Sequence, residues 1–234
     1  MRPNWFLWHL AHLVLLSFCV AMLKLRYDVR SRELEGPVVW VAKHCAWWET
    51  PLVGHLSWRL VRERPSFEMS SFHGYAFLGR VRGLLRALGG FEVMRPKDLL
   101  RLKHAGAGKR EELGALMEKV NAEAGERRRG ILRAGGAYAF YPEGTRDAAV
   151  LRPFKSEHEI REAIALATEE GIPVSVVPVA PCYGARPRPW IPFLRRRPVT
   201  LVVLEPVPLV GRGAEEVLAD IRRALEAVWV PEPR

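Results

Sequence analysis

Short apolar runs alternate with amphipathic helical segments along most of this chain, and this alternation restricts the fold more than any other feature. The runs Val38–Ala42, Ala137–Tyr141 and Val174–Val179 each follow a glycine- or proline-containing break. Runs that are apolar at successive positions are typical of strands covered by helices on both faces. The sequence therefore predicts an α/β domain in which helices flank a central, largely parallel sheet.

Further elements follow the same alternation. The predicted strands also include Leu25–Arg30, Ser66–Ser70, Phe91–Met94 and Val199–Leu204. The predicted helices are Leu52–Arg62, Tyr75–Leu88, Lys109–Arg129, Glu157–Glu170 and Glu215–Trp229, with loops or frayed segments at Leu99–Gly108 and Pro142–Ser156. In open sheets of this kind ligands collect at the carboxyl ends of the strands, so functional residues are expected there.

The amino terminus is apolar enough to associate with a membrane. Trp5–Leu23 runs for 19 residues without a formal charge, and a helix of that length would be about 28 Å long. Lys24, Arg26 and Arg30 follow it, which suits anionic headgroups on the cytoplasmic face of the cell membrane. We expect a membrane-associating segment at 1–30, either spanning or interfacial, and a second domain at 31–234. An ordinary buried helix is the alternative.

The net charge restricts the classes of binding partner, and the cysteine content bears on disulfides and metal sites. The net charge of +10 and the pI near 10.0 favour nucleic acid, anionic lipid or an acidic acyl-carrier protein. No zinc-finger spacing or RNP-like aromatic pattern is present, so no nucleic-acid partner is expected. The three cysteines form no Cys-x-x-Cys pair, and His9 and His12 have no evident third ligand, so neither a disulfide framework nor a metal site is predicted.

His44 and Glu49 are the candidate catalytic pair. They lie five residues apart, directly after the predicted strand Val38–Ala42. A histidine can take the proton of an attacking hydroxyl while a carboxylate fixes its tautomer and stabilises the imidazolium. Because Thr50-Pro51 is typical of a helix start, Glu49 is expected near the positive end of a helix dipole.

A second candidate segment is Pro142-Glu-Gly-Thr-Arg146, which follows the predicted strand Ala137–Tyr141. Gly144 permits close backbone approach, and Thr145 and Arg146 supply a hydroxyl and a guanidinium suited to phosphate or carboxylate. Taken alone, such a segment is more often a solvated turn.

Four segments in order resemble the motifs of the glycerolipid acyltransferase superfamily, which includes the lysophosphatidic acid acyltransferases. Lys43-His44-Cys-Ala-Trp-Trp-Glu49 resembles its Asn-His-x-Ser-x-x-Asp motif, and Tyr141-Pro-Glu-Gly-Thr-Arg146 resembles Phe-Pro-Glu-Gly-Thr-Arg. The second and fourth motifs resemble Gly90-Phe-Glu-Val-Met-Arg95 and Val174-Ser-Val-Val-Pro178. The resemblance covers residues 38–209.

This resemblance implies an O-acyltransferase. His44 would be the general base and Glu49 would orient it. The acceptor would be held by Arg95, Glu143, Gly144, Thr145 and Arg146. An acyl group would pass from acyl-carrier protein or coenzyme A to a lipid hydroxyl, with no cofactor or metal. The favoured acceptor is 1-acyl-sn-glycerol-3-phosphate, which would give phosphatidic acid. A nucleophilic role for Cys45 is disfavoured.

The chain departs from the family pattern at several positions. Glu49 stands where aspartate is usual, Lys43 where asparagine is usual and Ala46 where serine is usual. Phe67-Glu-Met-Ser70 stands where many relatives carry a lysine. We interpret Lys43 as solvent-facing and Arg127–Arg129 as a solvated helix end. The basic stretch Arg186–Arg197 suits anionic lipid or an acidic carrier protein.

Two alternatives to the favoured acceptor stay open. Another hydroxyl lipid, such as a lyso-aminolipid or a glycosylated carotenoid, would use the same chemistry. Alternatively, the departures at Lys43, Ala46 and Glu49 would mark a catalytically degenerate protein that only binds membranes.

Overall fold

Seven strands form one sheet in the part of the chain that the structure describes, in the order β1-β7-β6-β2-β5-β3-β4. The structure is a computed structural model, and it describes residues 4–31, 34, 36–46, 48–70, 83–96, 98–100, 110–154, 157–184 and 197–230. The strands are β1 Leu23–Val29, β2 Val38–Ala42, β3 Ser66–Ser70, β4 Gly90–Val93, β5 Ala137–Phe140, β6 Ser175–Tyr183 and β7 Arg197–Val203.

Helices pack on both faces of this sheet. The long helices are α1 Trp5–Met22, α2 Glu49–Val61, α3 Arg110–Arg133, α4 Glu157–Glu169 and α5 Ala214–Val228. All neighbouring strands are parallel except β6 and β7. Parallel neighbours require crossover connections, which carry helices across the faces. The predicted α/β class with a largely parallel sheet is confirmed.

The central strand β2 separates two apolar cores. Its side chains are at most 1% exposed. Val39 and Val41 belong to the core formed with α3, α4 and α5, whereas Val38, Trp40 and Ala42 belong to the core formed with α2. Because successive strand residues point to opposite faces, the continuous apolar run in the sequence reflects burial on both sides. β2 lies between β5 and β6, so the residues that follow these three strands meet at one edge.

Two elements extend beyond their predicted ends. β6 continues from Ser175 to Tyr183, although the sequence predicted an end at Val179. The added part contains Pro181, which cannot donate to a strand ladder, but β6 pairs with β7 across this position. α3 runs one turn further, to Arg133, and Gly135 follows it with a φ of 72°, as is usual after a helix.

Several sequence predictions lie outside the described residues. Of the predicted helix Tyr75–Leu88, only 83–88 is described, and 83–87 is helical. Most of Leu99–Gly108 and of the basic stretch Arg186–Arg197 is not described.

One side of α1 packs against α2 and the other is exposed. On the packed side, Trp8 stacks on His12 with ring centroids 4.5 Å apart, and it also contacts Trp58. The exposed side carries large apolar side chains, each 48–64% exposed: Trp5, Phe6, Leu10, Leu13, Val14 and Phe18. The structure thus describes an apolar surface on α1, hereafter the α1 surface.

Within the described ranges, none of the helices has the length and hydropathy required to cross a membrane. The predicted boundary after residue 30 stays a prediction. β1 lies inside the 1–30 segment, and it pairs with β7 along its whole length.

The contact between α1 and α2 depends on a neutral histidine pair. His12 Nε2 lies 3.3 Å from His55 Nδ1. Burial, followed by the nearby His55 and His9, lowers the pKa of His12 to about 4 from its ordinary 6.5. Burial, followed by Arg59, also lowers the pKa of His55.

These shifts make the stability of the fold pH-dependent. Because the folded chain binds these protons less readily than the unfolded chain, the stabilisation is complete above pH 6.5 and is lost as the pH falls towards 4. In His12→Phe, which keeps a ring against Trp8, we expect a flatter dependence over that interval. Denaturant unfolding at several pH values measures this slope, with pH 8 as the reference. If the unfolding free energy of parent and variant changed equally with pH, the role of the histidine pair would be contradicted.

Candidate active site

The predicted catalytic pair is in direct contact. His44 follows β2, Glu49 is the first residue of α2, and His44 Nδ1 lies 3.0 Å from Glu49 Oε2. An ionised carboxylate can only accept hydrogen bonds, so the proton of this bond lies on Nδ1. The lone pair of Nε2 is then the basic position of the ring. The His44 side chain keeps 16% of its surface exposed, so solvent and small groups reach it.

Glu49 is held from several directions. Its side chain is 1% exposed and lies at the amino end of α2, where the helix dipole favours a negative group. Oε2 accepts from the Cys45 amide at 2.7 Å and Oε1 from the Ala46 amide at 2.9 Å. The Tyr183 hydroxyl donates to Oε1 at 2.6 Å. With the bond to His44, four donors converge on this carboxylate.

An aromatic ring fixes the plane of the histidine. Tyr141, which follows β5, stacks on His44 with ring centroids 4.0 Å apart and planes at 22°. The Tyr141 hydroxyl is 3.0 Å from Thr50 Oγ1 on α2. Burial, followed by the Glu49 charge, raises the pKa of Tyr141, so it remains a neutral phenol.

Lys43 is buried, and its predicted solvent-facing position is wrong. Its side chain has no exposed surface, and Nζ donates to Glu143 Oε2 at 2.9 Å. Nζ also donates to the Val150 carbonyl at 3.1 Å and to the Asp147 carbonyl. The ammonium lies 4.8 Å from the Trp229 ring centroid. A lysine is stable here because carboxylate, carbonyl and aromatic acceptors replace its water.

This lysine ties the Glu143 loop, residues 141–152, to the end of β2. Glu143 is itself fully buried, and Oε2 also accepts from the Arg152 amide at 2.8 Å. The Asp147 amide donates to the His44 carbonyl at 2.9 Å. One predicted acceptor-binding residue, Glu143, therefore already pairs with a residue of the catalytic segment.

Arg95 and Gly144 are also brought together. Arg95 Nη1 donates to the Gly144 carbonyl at 2.9 Å. Gly144 has a φ of 64°, and a Cβ at that position would lie 3.1 Å from Arg95 Nη1. Glycine is required here both by its backbone conformation and by the close guanidinium.

Four of the five predicted acceptor-binding residues line one pocket of about 810 Å³: Arg95, Glu143, Gly144 and Thr145. Val93, Met94 and Met117 add apolar walls. Arg146 is exposed and is not among the lining residues, although its charge acts on Tyr141. The pocket has the size of a small-molecule site and combines polar groups with apolar walls.

The deep wall of this pocket contains a buried charge cluster that the sequence did not indicate. Arg128 is 4% exposed, so its predicted place on a solvated helix end is wrong. It donates to Glu68 Oε1 at 3.1 Å and to Glu162 Oε2 at 2.6 Å. Burial, followed by the Glu159 charge, raises the pKa of Glu68 well above its ordinary range. Among the described residues, Glu143 Oε1 and Glu159 Oε2 have no hydrogen-bond partner.

The thiol beside the dyad is not activated. Burial, followed by the Glu49 charge, raises the pKa of Cys45, which keeps it protonated and a poor nucleophile. No cluster of three or more metal-ligating side chains occurs in the described part of the chain, and the expectation of a metal-free site stays a prediction.

Comparison with known proteins gives a likeness of fold. No protein-family model matches the sequence, and no curated protein matches it either. Among solved structures, the 1-acyl-sn-glycerophosphate acyltransferase PlsC from Thermotoga maritima is similar, with a TM-score of 0.47 and 20% identity over 94% of this chain and 82% of that chain. The function proposed below is argued from the motifs and from the geometry of the site.

Because the Lys43–Glu143 ion pair is buried, replacing Lys43 is expected to destabilise the fold strongly. Lys43→Met leaves the Glu143 carboxylate buried without its cation, so we expect a loss of about 3–5 kcal/mol in the free energy of unfolding. Denaturant unfolding measures it, with Lys119→Met on the exposed side of α3 as the matched control. The double variant Lys43→Met, Glu143→Gln should regain part of the loss. A Lys43→Met protein as stable as the control would contradict this role.

Proposed function

We propose that this chain is a membrane-associated O-acyltransferase of the glycerolipid acyltransferase superfamily. The observation that carries the proposal is the His44–Glu49 contact of 3.0 Å at the same sheet edge as the pocket lined by Arg95, Gly144 and Thr145. These residues belong to three of the four motifs that the sequence shares with that superfamily. A general base beside a pocket for a polar acceptor suits proton abstraction from a hydroxyl.

In the proposed reaction, Nε2 of His44 removes the proton of the acceptor hydroxyl as its oxygen attacks the carbonyl carbon of an acyl thioester. The bond to Glu49 keeps the ring in the correct tautomer and stabilises the imidazolium. When the tetrahedral intermediate collapses, the carbon–sulfur bond breaks and His44 returns the proton to the departing thiolate. The products are an ester and a thiol. No acyl-enzyme is formed, in keeping with the protonated state of Cys45.

The favoured acceptor is 1-acyl-sn-glycerol-3-phosphate, and the product is phosphatidic acid. Arg95, which follows β4, supplies a guanidinium at the pocket wall, and Arg146 supplies a second on the exposed part of the Glu143 loop. Guanidinium groups suit phosphate oxygens. The donor is acyl-carrier protein or acyl coenzyme A. An acidic carrier protein would be attracted by the net charge of +10.

A second acceptor class is favoured by the carboxylates of the pocket. Glu143 Oε1 and Glu159 Oε2 have no hydrogen-bond partner among the described residues, and Glu162 also lines the pocket. Such oxygens suit a head group that brings its own donors, such as an ammonium or several hydroxyls. A lyso-aminolipid or a glycosylated lipid offers these, whereas a phosphate monoester offers few.

The α1 surface supports location at the cytoplasmic face of the cell membrane. It exposes Trp5, Phe6, Leu13 and Val14 on one side of a helix, and Lys24 and Arg26 follow shortly after. An apolar face next to basic residues is typical of helices that lie in the interface of an anionic bilayer.

Acyl transfer is tested with purified protein, an acyl thioester and a panel of lyso-lipids in detergent. We expect thiol release that depends on the acceptor, and a fall of about 10²–10⁴-fold in His44→Ala because the general base is lost. Cys45→Ala should retain transfer. The preferred lyso-lipid separates the two acceptor classes. Absence of release with every acceptor, or undiminished release in His44→Ala, would overturn the proposal.

Membrane association is tested by co-sedimentation with vesicles that contain phosphatidylglycerol. The double variant Leu13→Glu, Val14→Glu places charges on the α1 surface, and we expect binding to weaken by at least about tenfold from the lost apolar burial. Val210→Glu alters a valine that is 73% exposed elsewhere and serves as the control. Equal binding by all three proteins would exclude the α1 surface as the contact. Vesicle binding without any acyl transfer would favour the degenerate alternative.

A further inference from the structure

A tyrosine and a tryptophan from two different elements meet at the Glu49 carboxylate. Tyr183 is the last residue of β6, and its hydroxyl donates to Glu49 Oε1 at 2.6 Å. Trp48 immediately precedes α2, and its Nε1 donates to the Tyr183 hydroxyl oxygen at 2.9 Å. The indole, the phenol and the carboxylate thus form a chain of hydrogen bonds that ends at the partner of His44.

Every link of this chain has a fixed direction. An indole nitrogen can only donate and an ionised carboxylate can only accept, so the phenol must donate to Glu49. Tyr183 is 5% exposed. Burial, followed by the Glu49 charge, raises the pKa of Tyr183, which keeps the donated proton in place at any working pH.

The same contacts explain how glutamate fits at this position. The carboxylate simultaneously reaches the amides of Cys45 and Ala46, the His44 ring and the Tyr183 hydroxyl, at 2.6–3.0 Å. An aspartate would withdraw the carboxylate by about 1.5 Å, one carbon–carbon bond. It could not then keep the contact with β6 and the contact with His44 together unless the backbone moved.

We propose that Tyr183, supported by Trp48, is a positioning residue that holds the Glu49 carboxylate on His44 Nδ1 and so adapts the site to glutamate. It acts through Glu49 and touches neither substrate. The kinetic part of its test rests on the proposed acyl transfer, whereas the spectroscopic part does not.

The first experiment compares Tyr183→Phe with the parent in acyl transfer. Because only the orientation of the dyad changes, we expect kcat to fall about tenfold, as for the loss of one hydrogen bond to a charged group. KM for donor and acceptor should stay unchanged. Tyr27→Phe is the matched control, since the Tyr27 hydroxyl has no hydrogen-bond partner among the described residues. It should retain the parent kcat.

The second experiment tests whether Tyr183 acts only through the glutamate side chain at position 49. In a Glu49→Asp background the carboxylate is withdrawn from β6, so Tyr183→Phe should change kcat less than about twofold there. An undiminished tenfold effect in that background would show that Tyr183 acts elsewhere and would overturn the proposal.

The third experiment measures the titration of the His44 ring by NMR and needs no activity. Without the phenol, the Glu49 carboxylate is held less firmly on Nδ1 and stabilises the imidazolium less, so the pKa of His44 should fall in Tyr183→Phe. The acid limb of kcat/KM should move to lower pH with it. The other titratable groups packed around the dyad are Lys43, Cys45, Tyr141 and Glu143, and they are unchanged in the variant.

These outcomes separate the two proposals. If the parent transfers no acyl group but the His44 titration shifts in Tyr183→Phe, the proposed function fails and the positioning role stands. If the variant fails to fold, Trp48→Phe tests the same chain of bonds, with a smaller shift expected in the same direction. A folded variant that is less stable but has the parent titration and kcat would reduce Tyr183 to a structural residue and overturn the inference.

Discussion

The Lys43 ammonium lies without solvent exposure between two segments that are 100 positions apart, and its hydrogen-bond acceptors Glu143, Asp147 and Val150 belong to the Glu143 loop. Through it the end of β2 and the Glu143 loop form one rigid unit. His44 is the next residue in the chain, and its carbonyl accepts from Asp147 of the same loop. The Arg95 contact with Gly144 therefore has a fixed relation to the dyad. A buried ion pair contributes little net stability but strongly penalises separation of its partners, which suits a role in holding geometry.

The elements that the sequence predicted well are those whose pattern is decided locally. Val38–Ala42 and Ser66–Ser70 were predicted with the observed bounds, the first because a strand buried on both faces must be apolar at each position. The last residues of β6 lie beyond the predicted end at Val179. They include Pro181, which cannot donate to a strand ladder, and they belong to the strand because they pair with β7, which is distant in the sequence.

The candidate site was predictable to the extent that its residues form local motifs. His44 and Glu49 are close in sequence, so their contact followed from spacing. Tyr183 is 134 positions from Glu49, and no local pattern connects them. Lys43 and Arg128 were assigned to solvent because charged residues are seldom buried. Their burial depends on carboxylates supplied by other elements, Glu143 in one case and Glu68 with Glu162 in the other, and this complementarity becomes visible only in three dimensions.

The direct junction between α1 and β1 has a mechanical consequence. Met22 ends the helix and Leu23 begins the strand, so no linker separates them. β1 is then paired with β7 over seven residues. α1 therefore cannot rotate freely relative to the sheet. The direction in which its exposed side faces is set by the sheet. A planar surface bound by this side would therefore lie at a fixed angle to the sheet edge that carries His44 and at a fixed distance from it. The reach of His44 towards that surface is thus a property of the fold and does not depend on a flexible tether.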